Sequence, residues 1–149
     1  MAIDPNNAVV KLCTEGMQAE SNGQLAEAKN LCEEAWSKHC DDYEACIAAH
    51  YLARQQSSVE DEYYWNKIAL TRAENISPDL IGNFLASLHL NIGHSYEKLG
   101  DVSVAREHLQ LAKYHLSAVP DGPYRKIVSR GIDNALSRTS ATSAGGELG

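Results

Sequence analysis

Residues 92–112 read IGHSYEKLGDVSVAREHLQLA, and residues 15–35 read EGMQAESNGQLAEAKNLCEEA. Set 77 positions apart, the two stretches share Gly16 with Gly93, Gly23 with Gly100, Ala28 with Ala105 and Ala35 with Ala112. Both follow the pattern Gly-x6-Gly-x4-Ala-x6-Ala. Recurrence of this kind decides the fold before any single element is read. The first glycine and the two alanines fall where paired helices approach too closely for a larger side chain. The second glycine, in Asn22-Gly23 and in Leu99-Gly100-Asp101, suits the positive φ that ends one helix before the next begins. No strand-like alternation and no Val/Ile-rich run bounded by turns competes with this reading, so the expected class is all-α.

Working outward, the chain is predicted to form about seven helices. Asp4-Pro5 reads as a helix start, and the first helix runs from about Pro5 to Ser21. The second, from about 24 to 39, carries Leu25, Ala28, Leu31, Cys32, Ala35 and Trp36 as an apolar stripe. The middle hairpin spans about 42–56 and 58–76. It is degenerate, with His50 and Ala53 where the flanking units prefer Gly and Tyr. A fifth helix is predicted to run unbroken from Pro78 to Leu99, and a sixth from Val102 to Ala118. Pro120-Asp121-Gly122-Pro123 is a turn. A seventh helix, Tyr124 to about Ser137, has one polar and one apolar side, as a terminal cap requires. Unit starts near Val9, Tyr43 and Ala86 make the second interval longer than the first, and the extra length is expected in longer helices. The expected domain covers 5–138, with a disordered Ser/Thr/Gly/Ala-rich tail over 139–149.

Composition narrows the class of activity. The 149 residues are 44% apolar, enough for a continuous core. A net charge of −7 argues against a general nucleic-acid binder. Residues 1–62 hold 12 acidic and 4 basic side chains, whereas 63–149 hold 8 and 9. Arg125, Lys126, Arg130 and Arg138 form a small basic group on the last helix. Met1–Asn7 has neither a basic region nor an apolar stretch of a secretory leader, and no apolar run is long enough to span a bilayer. The expectation is a cytoplasmic protein with no membrane partner. In it Cys13, Cys32, Cys40 and Cys46 act as reduced, buried, small hydrophobes, with oxidation of Cys13 and Cys32 across one hairpin a minor alternative.

The punctuation of residues 16–35 and 93–112 resembles the tetratricopeptide repeat, a helix–turn–helix unit of about 34 residues. The resemblance covers roughly residues 5–137, closely in the outer units and in the middle one mainly through Ala69 and helix order. It implies a right-handed superhelix of antiparallel hairpins whose first helices line a concave groove. It also implies a non-catalytic scaffold. Carried onto this sequence, the groove positions are Val10, Cys13, Met17 and Glu20, then Glu44, Ile47, Tyr51, Arg54 and Gln55, then Ser87, Leu90, His94, Glu97 and Lys98. Some members clamp a C-terminal carboxylate with Lys and Asn. Here those positions hold Cys13, Met17, Ala48, Ser87 and Asn91, so only the Asn remains and the clamp is not expected. A groove centred on Cys13, Met17, Ile47 and Leu90, with Tyr51 and Arg54 as anchors, suits an apolar or amphipathic protein segment. The alternative is a structural homo-oligomer, such as a homodimer, that buries the same groove. A third possibility is that the chain's own seventh helix fills it.

Other constellations are weaker. Cys46 and His50, at i and i+4, supply too few ligands for zinc, and Cys-x2-Cys pairs are missing. His50 is expected to be buried. His39-Cys40-Asp41-Asp42 sets a thiol beside an imidazole, but adjacency does not hold a catalytic base in place. No phosphate-binding loop, nucleophile elbow or His-Glu-x-x-His helix is present. Glu33-Glu34 and Glu60-Asp61-Glu62 read as solvated faces. Trp36 and Trp65 are expected to pack between hairpins. Neither a catalytic site nor a cofactor or metal is expected.

Overall fold

The computed structural model describes the backbone of residues 4–148 and the side chains of 4–140. Their regular structure is all helical, with no strand among the described residues. The chain divides into two compact units at the Ile81–Gly82 boundary, where the sequence reads as one domain over 5–138.

The first unit comprises α1 (Ala8–Ser21), α2 (Leu25–Lys38), α3 (Asp42–Arg54), α4 (Val59–Ala73) and the single turn α5 (Pro78–Ile81). α1 pairs with α2 and α3 with α4, and α3 also packs on both helices of the first hairpin. α1 begins at Ala8, later than the expected start at Pro5. Asn7 caps it, its Oδ1 accepting the Val9 and Val10 N–H groups at 2.8 and 3.1 Å. Asp4 instead turns its carboxylate to the Asn6 N–H, which leaves 4–7 as a turn. Asp41 and Ser58 cap α3 and α4 through the Glu44 and Asp61 N–H groups. Trp36 of α2 and Trp65 of α4 meet edge to face with ring centroids 5.0 Å apart, joining the hairpins as expected.

The second unit comprises a 3-10 turn (Gly82–Phe84), α6 (Leu85–Lys98), α7 (Val102–His115), a second 3-10 turn (Leu116–Ala118) and α8 (Pro123–Leu148). α6 pairs with α7, and α8 packs on both. The core gathers Ala86, Leu90, Leu109, Ala112, Val119, Val128, Ile132 and Ala135.

Three expectations fail here. The helix drawn from Pro78 to Leu99 is interrupted at Gly82–Phe84. The extra length between units lies in the connection from α4 to α6, which occupies 74–84, whereas α2 and α3 are joined by 39–41 alone. Its short helical turns resemble helix in composition, so no loop signal marks them. The last helix also passes Ser137. Thr139 is fully buried, its hydroxyl donating to the Ala135 carbonyl at 2.8 Å and its Oγ1 lying 3.1 Å from Arg106 Nη1. The backbone stays helical through Leu148, and Gly149 lies outside the described residues.

The two outer hairpins are built alike. α1 and α6 start at Ala8 and Leu85, and α2 and α7 at Leu25 and Val102, so both pairs keep the offset of the glycines. All four helices are equally long. Gly23 and Gly100 adopt φ of 79° and 89°. One residue later, the Gln24 and Asp101 N–H groups donate to the Ala19 and Tyr96 carbonyls, each at 2.9 Å. A Cβ on Gly16 would lie 2.9 Å from Cys32 Sγ and 3.3 Å from the Ala28 carbonyl oxygen. On Gly93 it would lie 3.0 Å from Leu109 Cδ2 and 3.4 Å from the Ala105 carbonyl oxygen. Cys32 and Leu109, like Ala28 and Ala105, are matching positions of the two hairpins. The glycine makes room for the same backbone and the same facing position in each.

Candidate functional site

In the first unit, the row Val10, Cys13, Met17 and Glu20 on α1 turns toward α3. Val10 and Cys13 are buried, and Ile47 of α3 is fully buried. They form core where the resemblance implies open groove lining, because α3 of the next hairpin packs over the apolar side chains of this face. Met17 is the exception at 41% exposed. Beyond it, Glu20 Oε2 receives Arg54 Nη2 at 2.8 Å, and Glu20 Oε1 receives Gln55 Nε2 at 2.8 Å. Tyr51 is half-buried beside the exposed Arg54. At the other end of the row, Glu44 accepts from the Asn7 side-chain amide at 2.8 Å and from the Cys40 N–H at 2.8 Å. That carboxylate ties the α1 cap to the turn before α3.

In the second unit, the equivalent row on α6 is covered by α8. The hydroxyls of Ser87 and Tyr124 hydrogen-bond. Leu90 is buried against Gly131, where a Cβ would lie 3.1 Å from Leu90 Cδ2. Arg138 Nε donates to Glu97 Oε2 at 3.0 Å, and Arg138 Nη2 lies 3.1 Å from Glu97 Oε1 and 3.4 Å from His94 Nδ1. Asn91 is half-buried and Lys98 exposed. Within this unit, then, the chain's own last helix covers Ser87, Leu90, His94 and Glu97. In the sequence Arg138 reads only as part of a basic surface. Its glutamate partner sits on a different helix, beyond the reach of any local spacing rule.

Electrostatics follow the geometry. Hydrogen bonding to Arg54 holds Glu20 below the usual carboxylate range, and Arg138 does the same for Glu97. Burial pushes the Cys13 and Cys46 thiols up to about 12 and Cys32 to about 11. They are protonated at neutral pH and poor nucleophiles. All four cysteines are free, but Cys40 is exposed, because its position in the α2–α3 turn gives it no helix to pack against. Its thiol lies 3.6 Å from the Lys38 carbonyl oxygen, and the neighbouring His39 ring tilts toward Trp36 with centroids 4.3 Å apart. His50 is buried, and that burial lowers its pKa to about 4.

Among the described residues, no group of three or more His, Cys, Asp or Glu side chains converges as metal ligands would. None of the described helices is long and apolar enough to cross a membrane. On α8, Arg125, Lys126 and Arg130 line an open depression of about 480 Å³ that also holds Asp121 and Asp133, so its charge is mixed.

No protein-family model, curated protein or solved structure matches the chain.

The expected site is thus divided. Val10, Cys13, Ile47 and Leu90 build the interior, while Met17, Tyr51, Arg54, Asn91, His94 and Lys98 retain surface. Of these, Met17, Tyr51 and Arg54 belong to one unit and to neighbouring helices. They form the candidate contact surface.

Proposed function

We propose that this chain is a non-catalytic, tetratricopeptide-like interaction protein that docks an apolar or amphipathic segment of another protein on the α1–α3 face of its first unit. The observation that carries this reading is Met17. A flexible thioether stands 41% exposed in a row whose other apolar members are buried and whose end is held by the Glu20–Arg54–Gln55 network. Methionine adapts to irregular partners, and tyrosine and arginine are favoured anchors at the centre of interfaces. Ordered polar groups beside an exposed apolar side chain give an amphipathic helix both an anchor and a register. The surplus acid of residues 1–62 favours a partner with basic flanks. The free thiols suit a reducing, cytoplasmic setting.

The test is a photo-crosslinking amino acid at position 17 of the full chain, with Tyr51→Ala as the control. A discrete heterologous adduct that weakens with Tyr51→Ala supports docking at this face. An adduct of twice the chain mass, matched by a dimer in light scattering, would replace the reading with self-association. Absence of any discrete adduct would end it.

A further inference from the structure

Between α6 and α7 lies a column of five rings. Tyr96 stacks on His108 with centroids 5.5 Å apart and planes 7° apart, and His108 stacks on His89 at 5.3 Å and 24°. His89 stacks on His115 at 5.5 Å and 5°, and Tyr114 closes the column edge-on to His115 at 5.1 Å. Within it, His89 Nδ1 and His108 Nδ1 are 3.1 Å apart. Packing alone does not demand this arrangement. At the matching places of the first hairpin, Leu12 and Leu31 stand where the second has His89 and His108. One backbone geometry accepts two leucines in one hairpin and two imidazoles in the other.

We propose that the His89–His108–His115 column is a proton-sensitive latch, which holds α6 against α7 while its rings are neutral and loosens the pair on acidification. Two facing Nδ1 atoms at 3.1 Å form one hydrogen bond, with one nitrogen carrying the proton and the other offering its lone pair. A first added proton enters at the donor ring's Nε2 and leaves that bond in place. A second must occupy the accepting Nδ1, which turns the contact into two N–H groups facing each other and sets like charges side by side. His115, parallel to His89, adds a third charge to the same stack.

The surrounding elements include the following ionisable groups. α6 contributes His89 and Tyr96, and α7 contributes His108, His115 and Tyr114, with Lys98 of α6, Asp101 of the turn and Glu107 and Lys113 of α7 exposed to solvent. The 3-10 turns at Gly82–Phe84 and Leu116–Ala118 carry no ionisable side chain. α8 brings Tyr124 to Ser87, Arg125 to the Val119 carbonyl, and Arg138 to Glu97 and His94. Lys126, Arg130 and Asp133 of α8 line its open depression. Arg106 of α7 reaches the Leu136 carbonyl and Thr139. Burial, and then the charges of His108 and His115, lower the pKa of His89 to about 4, and burial lowers that of His115. A group whose folded pKa lies below its unfolded 6.5 stabilises the fold above pH 6.5, and that stability is lost as pH falls toward 4.

The test is amide hydrogen exchange by mass spectrometry on the full chain at about pH 7.5 and about pH 5.5, corrected for intrinsic rates, for wild type and His89→Leu/His108→Leu. Buried His50 of α3 is present in both proteins, so α1 and α2 serve as a reference for the difference between wild type and variant. In wild type, α6 and α7 should lose about tenfold in protection between the two pH values, the equivalent of one pKa unit. In the double variant most of that loss should disappear, while the change in α1 and α2 stays as in wild type. An undiminished loss in α6 and α7 of the variant, or an equal reduction in both hairpins, would overturn the proposal. If the variant does not fold, wild-type imidazole NMR titration decides. One depressed and one ordinary pKa for the His89–His108 pair supports the latch, and two independent titrations near 6.5 refute it.

Discussion

Glu20 and Arg54 face each other across α1 and α3 with Oε2 and Nη2 2.8 Å apart, and the matching carboxylate of the second unit, Glu97, is gripped by Arg138 of α8 at 3.0 Å. α8 thus meets α6 as α3 meets α1, although neither its length nor its register continues the repeat. Both pairs are partly solvated, so each contributes about 0.5–1 kcal/mol. A double-mutant cycle on Glu97→Gln and Arg138→Gln, read by urea unfolding, should return a coupling of that size. Glu97 is held below its unfolded value near 4.5, so the contribution is present above pH 4.5 and lost as pH falls through the lower folded value.

The close approach at Gly16 gives a sharper test. Gly16→Ala places a methyl 2.9 Å from Cys32 Sγ, between two packed helices. Overpacking of this kind costs about 1–3 kcal/mol, against a helix-propensity gain of about 1 kcal/mol. We expect a net loss near ~1 kcal/mol in wild type and little or no loss when Cys32 is also changed to Ala. Additive effects of the two substitutions in thermal unfolding would show that Sγ is not the obstacle.

Thiol chemistry should separate the cysteines by burial. Cys40 is exposed, while Cys13, Cys32 and Cys46 are buried with thiols raised to about 11–12. A charged aromatic disulfide should label one thiol in the native protein and all of them after denaturation. Peptide mapping should place the native label on Cys40.

The end of the packed second unit can be located by truncation. Ending the chain after Ser137 removes Arg138 and the buried Thr139 together. Ending it after Ser140 keeps both. The shorter chain should lose about 2 kcal/mol, or roughly 4–8 °C in Tm, and the longer one should match wild type. Equal melting of the two would place the boundary before residue 138.

His50 should remain neutral to about pH 4, because burial opposes its charged form. Its ring resonances should therefore stay still through pH 5. The sign is that of a lowered histidine: stability is present above pH 6.5 and lost as pH falls toward 4.

The sequence alone determined the outer hairpins. Gly16, Gly23, Ala28 and Ala35, repeated at 93, 100, 105 and 112, encode close approach and a left-handed turn. Both are local constraints that only small residues satisfy, so they can be read without coordinates. It also implied that Trp36 and Trp65 pack between hairpins and that His50 is buried. Tertiary structure alone decided which face of each first helix is covered. Val10, Cys13, Ile47 and Leu90 read equally well as groove or core, because apolarity states that a side chain will be buried and not by what. The same holds for the reach of α8. Thr139 and Arg138 lie in a polar stretch, and only the positions of Arg106 and Glu97, on helices distant in sequence, bring them into the packed unit. The histidine column has the same origin: His89 and His108 belong to different helices, and only the hairpin brings their Nδ1 atoms to 3.1 Å.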